Sequence, residues 1–307
     1  MEAKKTNKLL LIGKPAVGKS TIKKVIFEGE DPSELVLSPL EATLKVQYSV
    51  HNFMDSKVSL VDAPGQSLQT IFEDEQKQIM VFGDTSAIIY IMDYPTWISD
   101  SQDVLDDVKK IYEINKKRDF ESKIILFLHK IDLLMKKKIG SMLAMIRRQI
   151  INQLNLPIEI PIYFTSLHPN LIYTTYNAIS ETLSNFSEAT SNLKKIIKNT
   201  IKDLSKTSCF VSNKDDNIII QQMSNDFDTS ILYYLFEKIY YLSKSPEFST
   251  IKTSIISPGS KILNMVIEDI NKYNPNFKYL ILLSETIEQE DMIKILDDLK
   301  NELNKYF

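Results

Sequence analysis

The sequence predicts an α/β protein: a mostly parallel sheet covered by helices over residues 1–187, then a separate α+β domain over residues 188–307. Three observations carry this reading. Short apolar runs alternate with helical segments through the first part, as in a parallel sheet covered on both faces. Near residue 187 that order changes to α-β-β-α-β-β-β-α, which suits an antiparallel sheet. At 307 residues, the chain has room for about two domains of ~150 residues.

Lys8–Ile12 is a short buried-type strand, and Lys19–Phe27 reads as a helix. Residues 44–51 alternate, with Leu44, Val46, Tyr48 and Val50 on an apolar face and Lys45, Gln47, Ser49 and His51 on a polar one. That predicts a half-buried strand with His51 in solvent. Val58–Val61 follows closely enough to pair with it as a hairpin. Ala87–Met92, Lys123–Leu128 and Ile158–Phe164 are further strands. Helical segments lie between them near 68–80, 100–116, 138–154 and 171–186. In the second part, a helix over 190–205 precedes two short strands, Ser208–Ser212 and Asn217–Gln222. Then come a helix through Ile231 and Ile239, strands near 250–256, 262–269 and 278–284, and a closing helix from Gln289. Tyr233, Tyr234, Phe236, Tyr240 and Tyr241 exceed one helical stripe, and the surplus suggests a subunit interface.

Composition excludes several classes. The apolar share is 43%, the charged share 25% and the net charge −3. An acidic balance argues against a nucleic-acid footprint. Arg118, Arg147 and Arg148 are the only arginines, so lysine supplies most positive charge. A single cysteine, Cys209, excludes an internal disulfide, and His51, His129 and His168 lack metal-ligand spacing. No apolar run approaches the ~20 residues of a membrane span. The cluster Lys136-Lys137-Lys138 is shorter than a membrane-binding basic patch needs. The expected address is cytoplasmic, peripheral to a membrane only through partners.

Glycine is scarce, 7 in 307 residues against a usual share of about 7%. Gly13, Gly18 and Gly65 all fall in chemically suggestive places. Residues 13–20 read Gly-Lys-Pro-Ala-Val-Gly-Lys-Ser between a strand and a helix. Such a loop lets backbone N–H groups of Pro15's neighbours Ala16, Val17 and Gly18 approach phosphate, with Lys19 reaching β- and γ-phosphates. Ser20 can bind Mg²⁺, and Thr21 continues the helix start. Asp62-Ala63-Pro64-Gly65-Gln66 follows the strand Val58–Val61. Asp62 can hold Mg²⁺, the Gly65 N–H can sense a γ-phosphate, and Gln66 can orient water. Thr43, before the alternating strand, can also ligate Mg²⁺.

His129-Lys130-Ile131-Asp132 follows the strand Lys123–Leu128. A carboxylate at Asp132 can accept two hydrogen bonds from guanine, which adenine cannot offer. The Lys130 stem can lie over the base plane. Thr165-Ser166-Leu167 can present backbone N–H groups, from Ser166 and Leu167, to guanine O6.

These motifs, in this order, resemble the Ras-like small GTPases, and the histidine form His129-Lys130-Ile131-Asp132 resembles the Rag/Gtr branch. Ile26-Phe27, Ala42-Thr43 and Phe164-Thr165-Ser166 also look like Rag. The resemblance implies a P-loop NTPase G domain followed by a roadblock (longin-like) dimerisation domain, so a homo- or heterodimer. It implies GTP/GDP and Mg²⁺ as ligands, activating and exchange proteins as partners, and catalytic roles for Gln66 and Lys19. The richness in Asn, Ile and Lys is that of a divergent or prokaryotic member. Two departures stand out. Pro15 donates no N–H, and no arginine precedes Arg118, so hydrolysis without a partner should be slow. The alternatives are another Ras-like branch, Arf-like or a polarity GTPase, and a nucleotide-locked scaffold without turnover.

Overall fold

The computed structural model describes residues 7–32, 35, 46–53, 56–134, 139–228, 231–243, 250–256 and 261–306. Thr43, Lys136–Lys138 and the side chains of Tyr233, Tyr240 and Tyr241 lie outside the described residues. The chain divides into two compact units, Met1–Thr175 and Tyr176–Phe307.

In the first unit, β1 (Asn7–Ile12) leads through a loop into α1 (Lys19–Ile22), which continues as a π-helical turn over Lys23–Phe27. β2 (Gln47–Phe53) and β3 (Ser56–Asp62) form the expected hairpin. A 3₁₀ turn (Gly65–Ser67), α2 (Leu68–Glu73) and α3 (Glu75–Phe82) follow. Then come β4 (Thr85–Asp93), α4 (Tyr94–Arg118), β5 (Lys123–His129), α5 (Ile139–Leu154), β6 (Ile162–Phe164) and α6 (Tyr173–Ser184). The sheet order is β2-β3-β1-β4-β5-β6, and β2 alone runs antiparallel to its neighbour. Leu9–Ile12 and Ala87–Met92 are buried, as strands covered on both faces require. Leu11 pairs with Asp62, Ile12 with Tyr90 and Asp93 with His129. The carboxyl ends of β1, β3, β4 and β5 therefore open on one edge, where α/β sheets bind ligands.

Three local expectations change. The apolar face of β2 is not the buried one: Tyr48 and Val50 are 57% and 67% exposed. His51 is half-buried instead, its ring 5.2 Å from that of Phe27 and its Nε2 2.8 Å from Ser49 Oγ. Among the described residues, Phe27 packs on the face of β2 that carries His51. Second, α4 starts at Tyr94 rather than near residue 100. Asp93 accepts the Thr96 N–H at 2.9 Å, and Pro95 suits a first turn. The non-helical Asp100 (φ −154°, ψ 50°) then kinks the helix. Third, β6 shrinks to three residues. Pro161 has no N–H for the ladder, though its carbonyl accepts from Leu126 N–H at 2.9 Å.

Lys8 on β1 closes the end of α3, donating to the carbonyls of Met80 (3.2 Å), Val81 (2.9 Å) and Gly83 (2.9 Å).

In the second unit, α7 (Glu188–Ile201) precedes β7 (Thr207–Asn213) and β8 (Ile218–Met223). α8 (Leu232–Ser243), β9 (Thr250–Ile256), β10 (Ile262–Asp269), β11 (Phe277–Ser284) and α9 (Gln289–Tyr306) complete it. The order α-β-β-α-β-β-β-α is as expected, and the sheet β8-β7-β11-β10-β9 is wholly antiparallel. Leu235 and Ile239 of α8 pack on Phe210, Met265, Ile281 and Leu283. α7 lies against β7 and β8, and α9 against β10 and α7. Of the aromatics on α8, the Tyr234 hydroxyl donates to Ile256 O at 2.8 Å and Phe236 packs on Phe210, so these two serve the unit itself. The division falls inside α6, ahead of residue 187. Past Tyr176 this helix belongs with the second sheet: Asn177 Oδ1 accepts the Ile218 N–H at 2.9 Å. Among the described residues, no helix is long and apolar enough to cross a membrane.

Candidate functional site

The loop between β1 and α1 is shaped by three left-handed residues: Gly13 (φ 149°), Ala16 (φ 61°) and Gly18 (φ 102°). At Gly13 a Cβ would collide with the Ile91 carbonyl oxygen, so β4 passes too close for any side chain. Pro15 and Ala16 are exposed at the tip, and Val17 is buried. The N–H groups of Ala16, Val17, Gly18 and Lys19 have no protein acceptor among the described residues. Consecutive N–H groups around a left-handed residue form a concavity suited to an anion.

Lys19 closes this loop from within. Its ammonium donates to Gly13 O at 2.9 Å and Lys14 O at 2.6 Å, and the side chain is buried. Burial lowers its pKa to about 8, and the opposing attraction of Asp62 does not offset it. Ser20 Oγ donates to Asp62 Oδ2 at 2.9 Å, joining the start of α1 to the end of β3. Thr21 follows on α1, half-buried. Two hard oxygens meeting beside the loop fit a divalent cation such as Mg²⁺, which takes one or two protein oxygens and completes its shell with phosphate and water. No cluster of three or more His, Cys, Asp or Glu that could cage a metal occurs among the described residues.

Gly65 presses on the same loop: a Cβ there would lie 2.5 Å from Pro15 N and 2.6 Å from Lys14 C. Gln66 is exposed on the 3₁₀ turn immediately after it.

A second set gathers where β5 and β6 end. His129 is buried, its Nδ1 3.0 Å from Thr165 Oγ1. Burial lowers its pKa to about 4, aided by Lys130, so it is neutral near pH 7. Lys130 adopts a left-handed backbone (φ 60°) and donates to Ala16 O at 2.8 Å. Asp132 is exposed, and its carboxylate accepts from the Ser166 hydroxyl. The group that Ser166 turns to Asp132 is thus its hydroxyl. Its N–H donates to Thr174 Oγ1 at 3.0 Å, and the Thr165 N–H donates to Leu128 O at 2.9 Å. Of the three N–H groups in Thr165-Ser166-Leu167, only that of Leu167 has no protein acceptor among the described residues.

A family model described as "Gtr1/RagA G protein conserved region" matches residues 8–242. The chain belongs to this family. Among relatives, Ras-related GTP-binding protein C of Mus musculus and of Homo sapiens are each 32% identical over 127 residues, 41% of this chain and 30% of theirs. Ras-related GTP-binding protein D of Mus musculus is 31% identical over 127 residues, 41% of this chain and 26% of its own length. The matched stretch thus spans less than a third of each of these relatives.

Several contacts of this Gtr1/RagA chain bring in residues from outside the motifs. Thr175 Oγ1 donates to Ser166 O at 2.9 Å, so with Thr174 it grips the backbone of Ser166 on both sides. Lys14 pairs with Asp100 at 3.2 Å and with Asp103, tying the loop to the kinked start of α4. Asp93 pairs with Lys130 at 2.6 Å. Asp93 follows an apolar strand and precedes Pro95, a helix-cap signature that could have drawn notice to it.

Proposed function

We propose that the chain is a guanine-nucleotide switch, binding GTP and GDP and hydrolysing GTP slowly. The observation that carries this is the convergence of two recognition sets on one sheet edge: a loop whose consecutive N–H groups have no protein acceptor among the described residues and, bridged to it by Lys130, the Asp132 carboxylate with the Leu167 N–H. The first suits phosphates. The second offers an acceptor for guanine N1–H and its exocyclic amine, and a donor for O6. Adenine presents the opposite pattern and would leave the carboxylate unpaired.

Within this reading, Gly13, Pro15, Ala16, Val17, Gly18 and Lys19 surround the phosphates, and Thr21 supports the start of α1. Ser20, Asp62 and Thr43 are the protein ligands for Mg²⁺, which when bound neutralises charge on the phosphates. Lys19 lies deep in the loop and holds positive charge toward the β–γ bridge. Gln66 orients the attacking water, and the Gly65 N–H responds to the terminal phosphate. No arginine stands before Arg118, so turnover waits on a partner that supplies one in trans, a factor of about 10³–10⁵. Residues 188–307 act as a roadblock-like dimerisation domain, with a second copy or a paralogue as partner. Activating and exchange proteins complete the cycle in the cytoplasm, with any membrane contact made through partners.

The test compares GDP, ADP and xanthosine diphosphate binding by the wild type and by Asp132→Asn. The wild type is expected to prefer GDP over ADP by about 10²-fold or more. The variant should move its preference to xanthosine diphosphate, whose C2 carbonyl suits an amide donor. Equal binding of ADP and GDP by the wild type overturns the reading. Single-turnover hydrolysis, with Gln66→Leu as control, then separates a switch from a scaffold.

A further inference from the structure

Asp93 belongs to none of the motifs, yet it joins three parts of the site. It ends β4 in register with His129 and is 5% exposed. Its two oxygens are divided between two tasks. Oδ1 accepts the Thr96 N–H at 2.9 Å and caps α4, while Oδ2 accepts from Lys130 Nζ at 2.6 Å. The same ammonium donates to Ala16 O at 2.8 Å. Lys130 is thus strung between the end of β4 and the tip of the phosphate loop.

The arrangement is over-determined. The left-handed backbone of Lys130 (φ 60°) is unfavourable for a residue with a Cβ and persists where its surroundings hold it. Burial alone would raise the pKa of Asp93. The hydrogen bonds from Lys130 and Thr96 hold the carboxyl below the usual range, so it stays ionised. A half-exposed lysine with a four-carbon stem ordinarily samples many rotamers, and ordering it on nucleotide binding would weaken that binding. Here the stem is already held in one path beside the loop.

We propose that Asp93 is a positioning residue for the bound guanine nucleotide: by fixing the Lys130 side chain between β4 and the phosphate loop, it sets how long the nucleotide stays. This rests on the guanine-nucleotide reading above.

The experiment measures release of a fluorescent N-methylanthraniloyl GDP from the full chain under excess GDP. Asp93→Asn and Asp93→Ser both keep an oxygen able to cap α4 and both remove the charge. Each is expected to speed release about 10- to 100-fold, the range for losing a charge-assisted hydrogen bond. In a Lys130→Met background the same changes should add less than about twofold, because Asp93 acts through that lysine. A capping role alone would accelerate release equally in both backgrounds. Wild-type release rates in both variants, or equal acceleration in both backgrounds, overturn the proposal. A wild type that fails to retain GDP at all overturns it together with the functional reading, whereas retention with insensitive variants overturns it alone.

Discussion

The His129 ring lies against Gly18: a Cβ on that glycine would stand 2.8 Å from His129 Cδ2 and 3.2 Å from Nε2. The end of β5 therefore supports the loop between β1 and α1 directly, through a ring that is neutral near pH 7. The imidazole fills the space beneath the loop at Gly18.

Gly18→Ala should consequently be doubly unfavourable. A Cβ at φ 102° and an overpacked contact each cost about 1–3 kcal/mol. Thermal unfolding is expected to shift downward and GDP retention to fail. Adding His129→Ala should restore part of the unfolding midpoint, because it removes the collision but not the backbone strain. No difference between single and double variants would show that the ring contact is immaterial.

Gly65→Ala tests the other contact on the loop. A methyl group would collide with the Lys14–Pro15 peptide, so the turn carrying Gln66 must move off. A displacement of about 1 Å can lower a rate on the order of 10²-fold. GDP affinity should stay near wild type while single-turnover GTP hydrolysis falls by that factor. Parallel loss of both would point to general misfolding of the site.

Lys19 should make nucleotide binding depend on pH. In the free protein its pKa is lowered to about 8 by burial. Phosphates beside the ammonium favour its charged form, so the pKa rises on binding. Below pH 7 both states hold the proton and binding is insensitive to this group. Between pH 8 and the pKa of the complex, binding takes up a proton and affinity falls as pH rises. Calorimetry of GDP binding at pH 8.5 in buffers of different ionisation heat should reveal that uptake, and at pH 6.5 it should vanish. Uptake at neither pH would contradict a lowered Lys19 pKa.

Much of this site is legible from residue type and spacing because its parts are local. A glycine turn between a strand and a helix, or an aspartate at a strand end, is visible in a few consecutive residues. The contacts that orient those parts are not local. Thr174 and Thr175 grip Ser166 from α6, and Asp93 reaches Lys130 from the neighbouring strand. Periodicity has its own blind spot. Alternation along β2 correctly separates Tyr48 and Val50 from Ser49 and His51, but it cannot say which face meets the core of an edge strand. Likewise, the grip of α6 on the second sheet through Asn177 and Ile218 is invisible in the predicted order of elements, which changes only near residue 187.

The lysine at the far end of α3 bears on motion. Lys8 chelates three carbonyls there, and Gly65 rests on the phosphate loop at the other end. The stretch from Gln66 to Ile79 is therefore a beam pinned at both supports. Such a beam can bow outward in its middle, near the break between α2 and α3 at Asp74. To swing open like a door it would first have to break the Lys8 contacts that tie its far end to β1.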